Sequence, residues 1–186
     1  VVNKRVHRLG LAANYGIDER GVRAAFERGV NYVFFTARSR ALLAPLREAL
    51  KSRREEVVVA ALPLVGYFGG SVRRGCERAL RLLGTEYLDV FQLGWLGVGS
   101  ALTEGTTEAL LELKREGKIR AIGCSIHNRP RAGALAEESV MDTLMIRYNA
   151  AHPGAERDIF PKLAKRGPGV VAYTATSRGA LLKAPR

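Results

Sequence analysis

Residues 87–125, YLDVFQLGWLGVGSALTEGTTEALLELKREGKIRAIGCS, contain two short apolar runs that flank a segment of helical length. The runs at 87–93 and 119–125 are nearly continuous in apolar residues, as in strands that are buried on both faces. Between them, residues 103–115 mix apolar and charged residues in the manner of an amphipathic helix. A strand, a helix and a strand in this order predict one βαβ unit of a parallel sheet.

The same alternation continues on both sides of this stretch. Turn signals such as EG at 116–117 and RGP at 166–168 separate the segments. The strand-like runs lie at residues 10–13, 32–35, 57–62, 87–93, 119–125, 143–148 and 169–173. The helical stretches lie at 19–28, 40–51, 70–83, 103–115, 129–138 and 155–165. This pattern predicts an α/β fold in which helices cover a parallel sheet.

Two architectures share this pattern. A doubly wound sheet is typically marked by a glycine-rich phosphate turn after an early strand, and neither GxGxxG nor GxxxxGK[ST] occurs in the sequence. A (β/α)8 TIM barrel needs eight units in about 250 residues, and this chain has seven strand-like runs in 186 residues. The sequence therefore predicts a TIM-barrel type fold as a single, incomplete domain over residues 1–186, without the C-terminal part. Such a sheet exposes the edges of its first and seventh strands.

The composition narrows the class of protein. With 47% hydrophobic and 26% charged residues, a collagen-like or disordered chain is excluded. The longest apolar run, residues 57–68, is shorter than the roughly 20 residues that span a bilayer, so no membrane segment is expected. Cys76 and Cys124 lie 48 positions apart, and neither a CxxC motif nor a set of histidines at the spacing of metal ligands accompanies them. They predict reduced thiols rather than a metal site and, with no secretory signal at residues 1–8, a cytoplasmic location.

The net charge of +12 comes from 30 Lys and Arg residues against 18 Asp and Glu residues. Such a charge attracts phosphates and nucleic acids. However, the arginines are spread along the chain and often stand beside glutamates, as in RREE at residues 53–56, which is typical of a solvated surface. Because no recognition motif is present either, nucleic acid is not an expected partner.

Short motifs occur in a fixed order from residue 29 onward. They are GVNY at 29–32 with FTA at 35–37, REEVVVAAL at 54–62, LLGTEYLDVFQLGW at 82–95, GKIRAIGCS at 117–125, YN at 148–149 and VVAY at 170–173. Each motif is modest alone, but the ordered series resembles the aldo-keto reductases. The resemblance implies a (β/α)8 barrel that reduces aldehydes and ketones with NADPH.

The resemblance also implies where the catalytic residues should stand. The family carries an Asp, a Tyr, a Lys and a His at the ends of the early strands; the tyrosine protonates the carbonyl oxygen and the Lys–Asp pair lowers its pKa. Here the Asp position holds Phe35, or Phe34 because one residue is inserted, the Lys position holds Leu62 and the His position holds Gly94. No tyrosine follows at the expected spacing. The substitutions predict that the family's catalysis is lost or altered, as in a pseudoenzyme.

The cofactor side of the implied site is partly retained. Ser125 and Tyr173 match the family's serine and stacking tyrosine, whereas Ile126 and Met145 stand where the family has an Asn and a Gln. The resemblance thus implies NADP as the cofactor, with Ser125, Met145 and Tyr173 at its nicotinamide. Two hydrogen-bonding groups of that site are replaced by apolar ones.

His127 and His152 follow the fifth and sixth strands, at the end of the sheet where barrel enzymes place their sites. Either histidine could act as a relocated acid beside Ser125 and Asn149, because imidazole exchanges protons near neutral pH. Each could equally be a loop histidine that makes local hydrogen bonds. The sequence leaves both interpretations open.

Three functions remain open at this point. The first is an NAD(P)H-dependent oxidoreductase of carbonyl compounds with lost or altered catalysis, which takes a small-molecule ligand and the cofactor. The second is a non-catalytic binding or regulatory subunit on a TIM-barrel scaffold, in which a protein partner or a second copy covers the open edge. The third and weakest is an anion or nucleic-acid binder that relies on the net charge of +12.

Overall fold

The computed structural model describes residues 2–12, 16–62 and 68–183. Strands and helices alternate in the predicted order. The strands are β1 (Leu11–Ala12), β2 (Tyr32–Phe35), β3 (Val58–Ala61), β4 (Leu88–Leu93), β5 (Ile119–Ile126), β6 (Thr143–Arg147) and β7 (Gly169–Tyr173). The helices are α1 (Glu19–Glu27), α2 (Arg40–Ser52), α3 (Gly69–Leu83), α4 (Glu104–Arg115), α5 (Arg129–Glu137) and α6 (Ala155–Asp158). All seven predicted strands are confirmed, although Ala13 of the first run lies outside the described residues.

The strands form one parallel sheet in the order β1-β2-β3-β4-β5-β6-β7. Because sheet order follows chain order, successive right-handed crossovers all turn the same way and place their helices on one face. A doubly wound sheet reverses its order at a switch point, so the observed order excludes that alternative. The sheet has the winding of the predicted TIM-barrel type fold, and β1 and β7 are its edges within the described residues.

Apolar side chains form two clusters on the two faces of the sheet. The outer cluster packs strand residues such as Phe91 against helix residues such as Leu42 and Leu110. The inner cluster contains buried residues at alternate positions of the strands, as the two-residue period of a strand requires. Its members are Tyr32, Val58, Ala60, Val90 and Ala121, with Phe34 and Val171 packed against them. Side chains at alternate positions of a strand therefore face the helices, and those at the positions between them face the inner side of the sheet.

The segment after β6 differs from the prediction of one helix over residues 155–165. Helix α6 is only four residues long, and a 3-10 helix follows it at Phe160–Lys165. Between them, Ile159 leaves the helical region with φ −125° and ψ −53°. Pro161 has no N–H and disfavours the α conformation at the residue before it. The predicted helix is therefore wrong beyond Asp158.

A buried carboxylate ties three segments together at the amino ends of the strands. Asp89 of β4 is fully buried, and its two oxygens lie 2.9 Å from Lys4 Nζ and 2.9 Å from an Arg54 guanidinium nitrogen. The backbone N–H of Val59 donates to the same carboxylate at 2.9 Å. Arg54 also lies over the ring of Tyr87, with its guanidinium carbon 3.6 Å from the ring centroid. This cluster joins the N-terminal segment to β3 and β4.

The two cysteines are free and buried. Burial raises the pKa of the Cys76 and Cys124 thiols to about 12. Over the described ranges, no helix is long and apolar enough to cross a bilayer, and no group of three or more His, Cys, Asp or Glu side chains could hold a metal ion.

We expect Asp89→Asn to destabilise the fold strongly. The change leaves the two cations beside position 89 without a counter-charge in a buried place, which costs about 3–5 kcal/mol when one partner of a buried ion pair is removed. Urea unfolding, monitored by circular dichroism, measures the effect. Glu108→Gln, an exposed change on α4, is the control and should shift stability by less than about 0.5 kcal/mol. Equal unfolding midpoints for the two variants would contradict the structural role of the cluster.

Candidate active site

The carboxyl ends of all the parallel strands lie at the same end of the sheet, and the residues predicted for the site follow them. We call this end the mouth of the sheet. Leu62 follows β3, Gly94 follows β4 and His127 follows β5. Asn128 then caps α5 by accepting from the Arg131 N–H at 2.9 Å, so the chain turns away from the mouth immediately after His127.

Leu62 and Gly94, the positions implied for the family's Lys and His, are packed against each other. A Cβ atom built on Gly94 would lie 2.8 Å from Leu62 Cδ2 and 3.0 Å from Leu62 Cγ. These distances are shorter than ordinary contacts between carbon atoms. The Leu62 side chain therefore occupies the space that any side chain at position 94 would enter.

The end of β2 presents Phe34, not Phe35, to the inner face. Phe35 is 3% exposed and belongs to the outer cluster beside the helices, whereas Phe34 packs against the inner cluster. The two adjacent phenylalanines of β2 thus lie on opposite faces of the sheet. Of the two residues that stand where a tyrosine was expected, Ser39 is buried and its hydroxyl lies 3.1 Å from Thr36 Oγ1, and Arg40 begins α2.

The predicted cofactor residues come together on β5, β6 and β7. Ser125 pairs with Met145 in the sheet register, and both are nearly buried, at 5% and 6% exposure. Tyr173, the last residue of β7, also lies at the mouth. Ile126, at the family's Asn position, belongs to the outer cluster. Ser125, Met145 and Tyr173 are therefore neighbours on the inner face, while Ile126 faces the helices.

The structure separates the two histidines that the sequence singled out. The Tyr173 hydroxyl lies 2.7 Å from His127 Nδ1, and the two rings meet edge to face with centroids 5.7 Å apart. In contrast, His152 Nδ1 lies 3.1 Å from Asn149 Oδ1, which also accepts from the Ala151 N–H at 2.9 Å. His127 thus belongs to the mouth, and His152 belongs to a local turn.

Arg147 is a mouth residue that we did not predict. It is the last residue of β6 and pairs with Tyr173 in the sheet register. Burial raises the pKa of the Tyr173 hydroxyl, and the charge of Arg147 opposes this rise. The alternation along β6 could have predicted this, because residue 147 stands two positions after Met145 and so faces the same side of the sheet.

Two residues beside the mouth have left-handed backbone conformations. Trp95, after Gly94, has φ +46° and is 60% exposed, and Thr174, after Tyr173, has φ +54°. A β-branched residue at positive φ is an outlier that its surroundings must hold in place. Asn149 does so in part, because its Nδ2 donates to the Thr174 carbonyl at 2.8 Å.

Comparison with curated proteins finds relatives that are named as methylglyoxal reductases. The chain is 30% identical over 140 residues to the protein named methylglyoxal reductase YeaE of Escherichia coli, which covers 73% of this chain and 49% of that protein. It is 28% identical over 113 residues to the protein named NADH-specific methylglyoxal reductase of Escherichia coli, covering 60% of this chain and 35% of that protein. The chain thus spans between about a third and a half of the length of these curated relatives.

Comparison with solved structures gives the same family. The aldo-keto reductase AKR11C1 from Bacillus halodurans, in its holo form, superposes with a TM-score of 0.79 at 25% identity, over 97% of this chain and 66% of that one. An aldo/keto reductase from Klebsiella pneumoniae, solved in complex with NADP and acetate, superposes with a TM-score of 0.77 at 25% identity, over 96% of this chain and 67% of that one.

The family model of the Aldo/keto reductase family matches residues 14–186. This match confirms the resemblance that the ordered motifs indicated. The chain belongs to the aldo/keto reductase family.

Proposed function

We propose that this chain forms the NADP-binding part of an oxidoreductase of carbonyl compounds whose catalysis is lost or altered. The observation that carries the proposal is the contrast between the two sides of the mouth. On one side Ser125 and Tyr173 keep a hydroxyl and an aromatic ring on the inner face. On the other side Leu62 fills the space beside Gly94. Structural neighbours solved with NADP or NADPH support the cofactor.

The residues on β5–β7 fit a nicotinamide in part. The Ser125 hydroxyl can accept or donate a hydrogen bond to a carboxamide, and the Tyr173 ring offers a flat surface for stacking. Met145 supplies a polarisable apolar contact but only a weak acceptor. When bound, NADPH supplies a hydride, while these side chains bind the nicotinamide and orient it. With fewer hydrogen bonds, we expect the stacking on Tyr173 to contribute more of the affinity.

The other side of the mouth lacks a proton donor at the family's positions. Neither Phe34, Leu62 nor Gly94 can transfer a proton to a carbonyl oxygen. A positioned general acid typically contributes about 10²–10⁴-fold in rate. His127, at the mouth, is a titratable group that could act as a relocated acid. The contacts of His152 within its own turn favour the local interpretation for that residue.

The proposal also includes the cellular compartment of the protein and a partner that covers the edge strand β7. The two buried free thiols support a reducing compartment such as the cytoplasm. The residues of β7 are exposed or only half-buried, unlike those of β4, which supports the idea that a protein partner or a second copy covers this edge.

We expect the chain to bind NADPH through the Tyr173 ring. Tyr173→Ala should weaken binding about tenfold, since the loss of an aromatic stacking contact of about 1.4 kcal/mol corresponds to that factor. Tyr173→Phe keeps the ring and is the matched control, with nearly unchanged affinity. Isothermal titration calorimetry measures all three dissociation constants. Absence of binding at millimolar NADPH to the folded chain would overturn the proposed cofactor role.

We expect slow turnover of methylglyoxal, the compound in the relatives' printed names, with NADPH. A rate below about 0.1 s⁻¹, against the usual range of about 1–10³ s⁻¹ for enzymes, would fit the loss of the family's acid. NADPH oxidation followed by absorbance gives the rate. Any residual rate should fall in His127→Gln and stay the same in His152→Gln. Turnover in the usual range would contradict altered catalysis, and equal rates in both variants would exclude His127 as the acid.

We expect Leu62 and Gly94 to be energetically coupled. Gly94→Ala alone should destabilise the protein by about 1–3 kcal/mol because the new methyl group collides with Leu62. In the Leu62→Ala background the same change should cost less, with a coupling energy of about 0.5–3 kcal/mol. Urea unfolding of the wild type, the two single variants and the double variant gives this coupling energy as a double-mutant cycle. In a control cycle Gly105→Ala takes the place of Gly94→Ala, because a Cβ atom at position 105 has no neighbour within 4 Å. Additive effects in the first cycle would show that Leu62 does not restrict position 94.

A further inference from the structure

We propose that Arg147, Tyr173 and His127 form a binding site for an oxyanion of a ligand. The three residues come from consecutive strands and meet at the mouth. Arg147 and Tyr173 end β6 and β7 and are register partners, so their side chains leave the same face of the sheet. His127 follows β5, beside them. The inference deepens the proposed function and rests on it, because the site adjoins the proposed nicotinamide site.

A hydrogen bond to His127 holds the Tyr173 hydroxyl at the mouth, on the strand next to that of Arg147. The Tyr173 hydroxyl lies 2.7 Å from His127 Nδ1 and 3.4 Å from its Nε2. Arg147 is the register partner of Tyr173, and its charge opposes the rise that burial causes in the pKa of the Tyr173 hydroxyl. The pairing of the two strands therefore places a guanidinium and a phenol on the same face of the sheet, and both kinds of group bind oxyanions.

The charge of Arg147 points to an anion from outside the described chain. Its side chain is half-buried, and no carboxylate in residues 2–12, 16–62 and 68–183 lies within 4.0 Å of its guanidinium. Of the other half-buried arginines, Arg54 is paired with Asp89 and Arg73 with Glu112 and Glu116, whereas Arg53 lies over the Phe26 ring. A charge removed from water is costly unless it is paired. Guanidinium groups bind carboxylates and phosphates through two parallel hydrogen bonds.

The neighbouring strands indicate what the rest of the ligand is like. The inner face beside the site carries Met145 and Val171, and the far side of the mouth carries Leu62 and Phe34. These side chains favour an apolar body. A carbonyl compound with a carboxylate at one end and an aliphatic group at the other fits both features. The second source of an oxyanion at this place is a phosphate of the cofactor.

The test compares a charged probe with its neutral counterpart. We would titrate 4-methyl-2-oxopentanoate and its primary amide into the wild-type chain and into Arg147→Gln by calorimetry. The carboxylate should bind at least tenfold more tightly than the amide to wild type, and the difference should disappear in Arg147→Gln. Arg115→Gln removes the same charge from the exposed end of α4 and should keep the difference. Tyr173→Phe, which keeps the ring, should reduce it several-fold.

The controls separate a lost site from a lost fold. Circular dichroism confirms that each variant is folded, and Arg147→Lys, which keeps the charge but not the planar fork, should retain part of the preference for the carboxylate. Equal affinity of wild type for the carboxylate and the amide, with no effect of Arg147→Gln on NADPH, would overturn the proposal. So would equal losses in Arg147→Gln and Arg115→Gln.

Parallel titrations with NADPH distinguish the two sources of the oxyanion and the two proposals. If Arg147→Gln weakens NADPH binding and leaves the carboxylate probe unaffected, the site is supported and its oxyanion is a cofactor phosphate. If wild type fails to bind NADPH but binds the carboxylate through Arg147, the anion site is supported and the proposed cofactor role fails. If NADPH binds through the Tyr173 ring and Arg147→Gln changes neither ligand, the cofactor role stands and the anion site fails.

Discussion

The alternation of side chains in a parallel sheet that is wound in one direction is the constraint on which this structure depends. Every helix covers the outer face, so only residues of one parity in each strand can reach the inside. At the mouth these residues are Phe34, Leu62, Gly94, His127, Arg147 and Tyr173, whereas Phe35 and Ile126 are one step out of phase and pack against helices. In β2 this alternation places Phe34, and not Phe35, on the inner face.

Charged side chains are paired differently at the amino ends and at the carboxyl ends of the strands. At the amino ends, Asp89 lies between Lys4 and Arg54, so charges of both signs are paired within the chain. At the carboxyl ends, Arg147 has no carboxylate within 4.0 Å among the described residues. Pairing at one end stabilises the fold, and the proposed anion site at the other end would use a cation that the described chain does not pair. This division agrees with the general rule that the amino face of a barrel carries stability and the carboxyl face carries function.

The sequence alone was sufficient to predict the strands and the type of winding, because runs such as 57–62 are almost entirely buried and are apolar throughout. It misled at residues 155–165, where apolar spacing indicated one helix and Pro161 divided it. The pairing of His127 with Tyr173 could not be predicted, because it depends on the register of β5, β6 and β7, which no local pattern encodes. Arg147 was within reach, since alternation from Met145 places it on the inner face.

The replaced positions at the mouth also restrict one another. A histidine at position 94 needs the space that Leu62 now fills, so Leu62 must change first or at the same time. A lysine at position 62 would enter a pocket where the inner face of β2 offers Phe34 instead of a carboxylate, and a buried cation without a partner is strongly destabilising. An aspartate at position 34 alone would suffer the same penalty with the opposite sign. Each single change toward the acid–base set that the resemblance implies is therefore unfavourable by itself, so Phe34, Leu62 and Gly94 form a locally stable apolar arrangement.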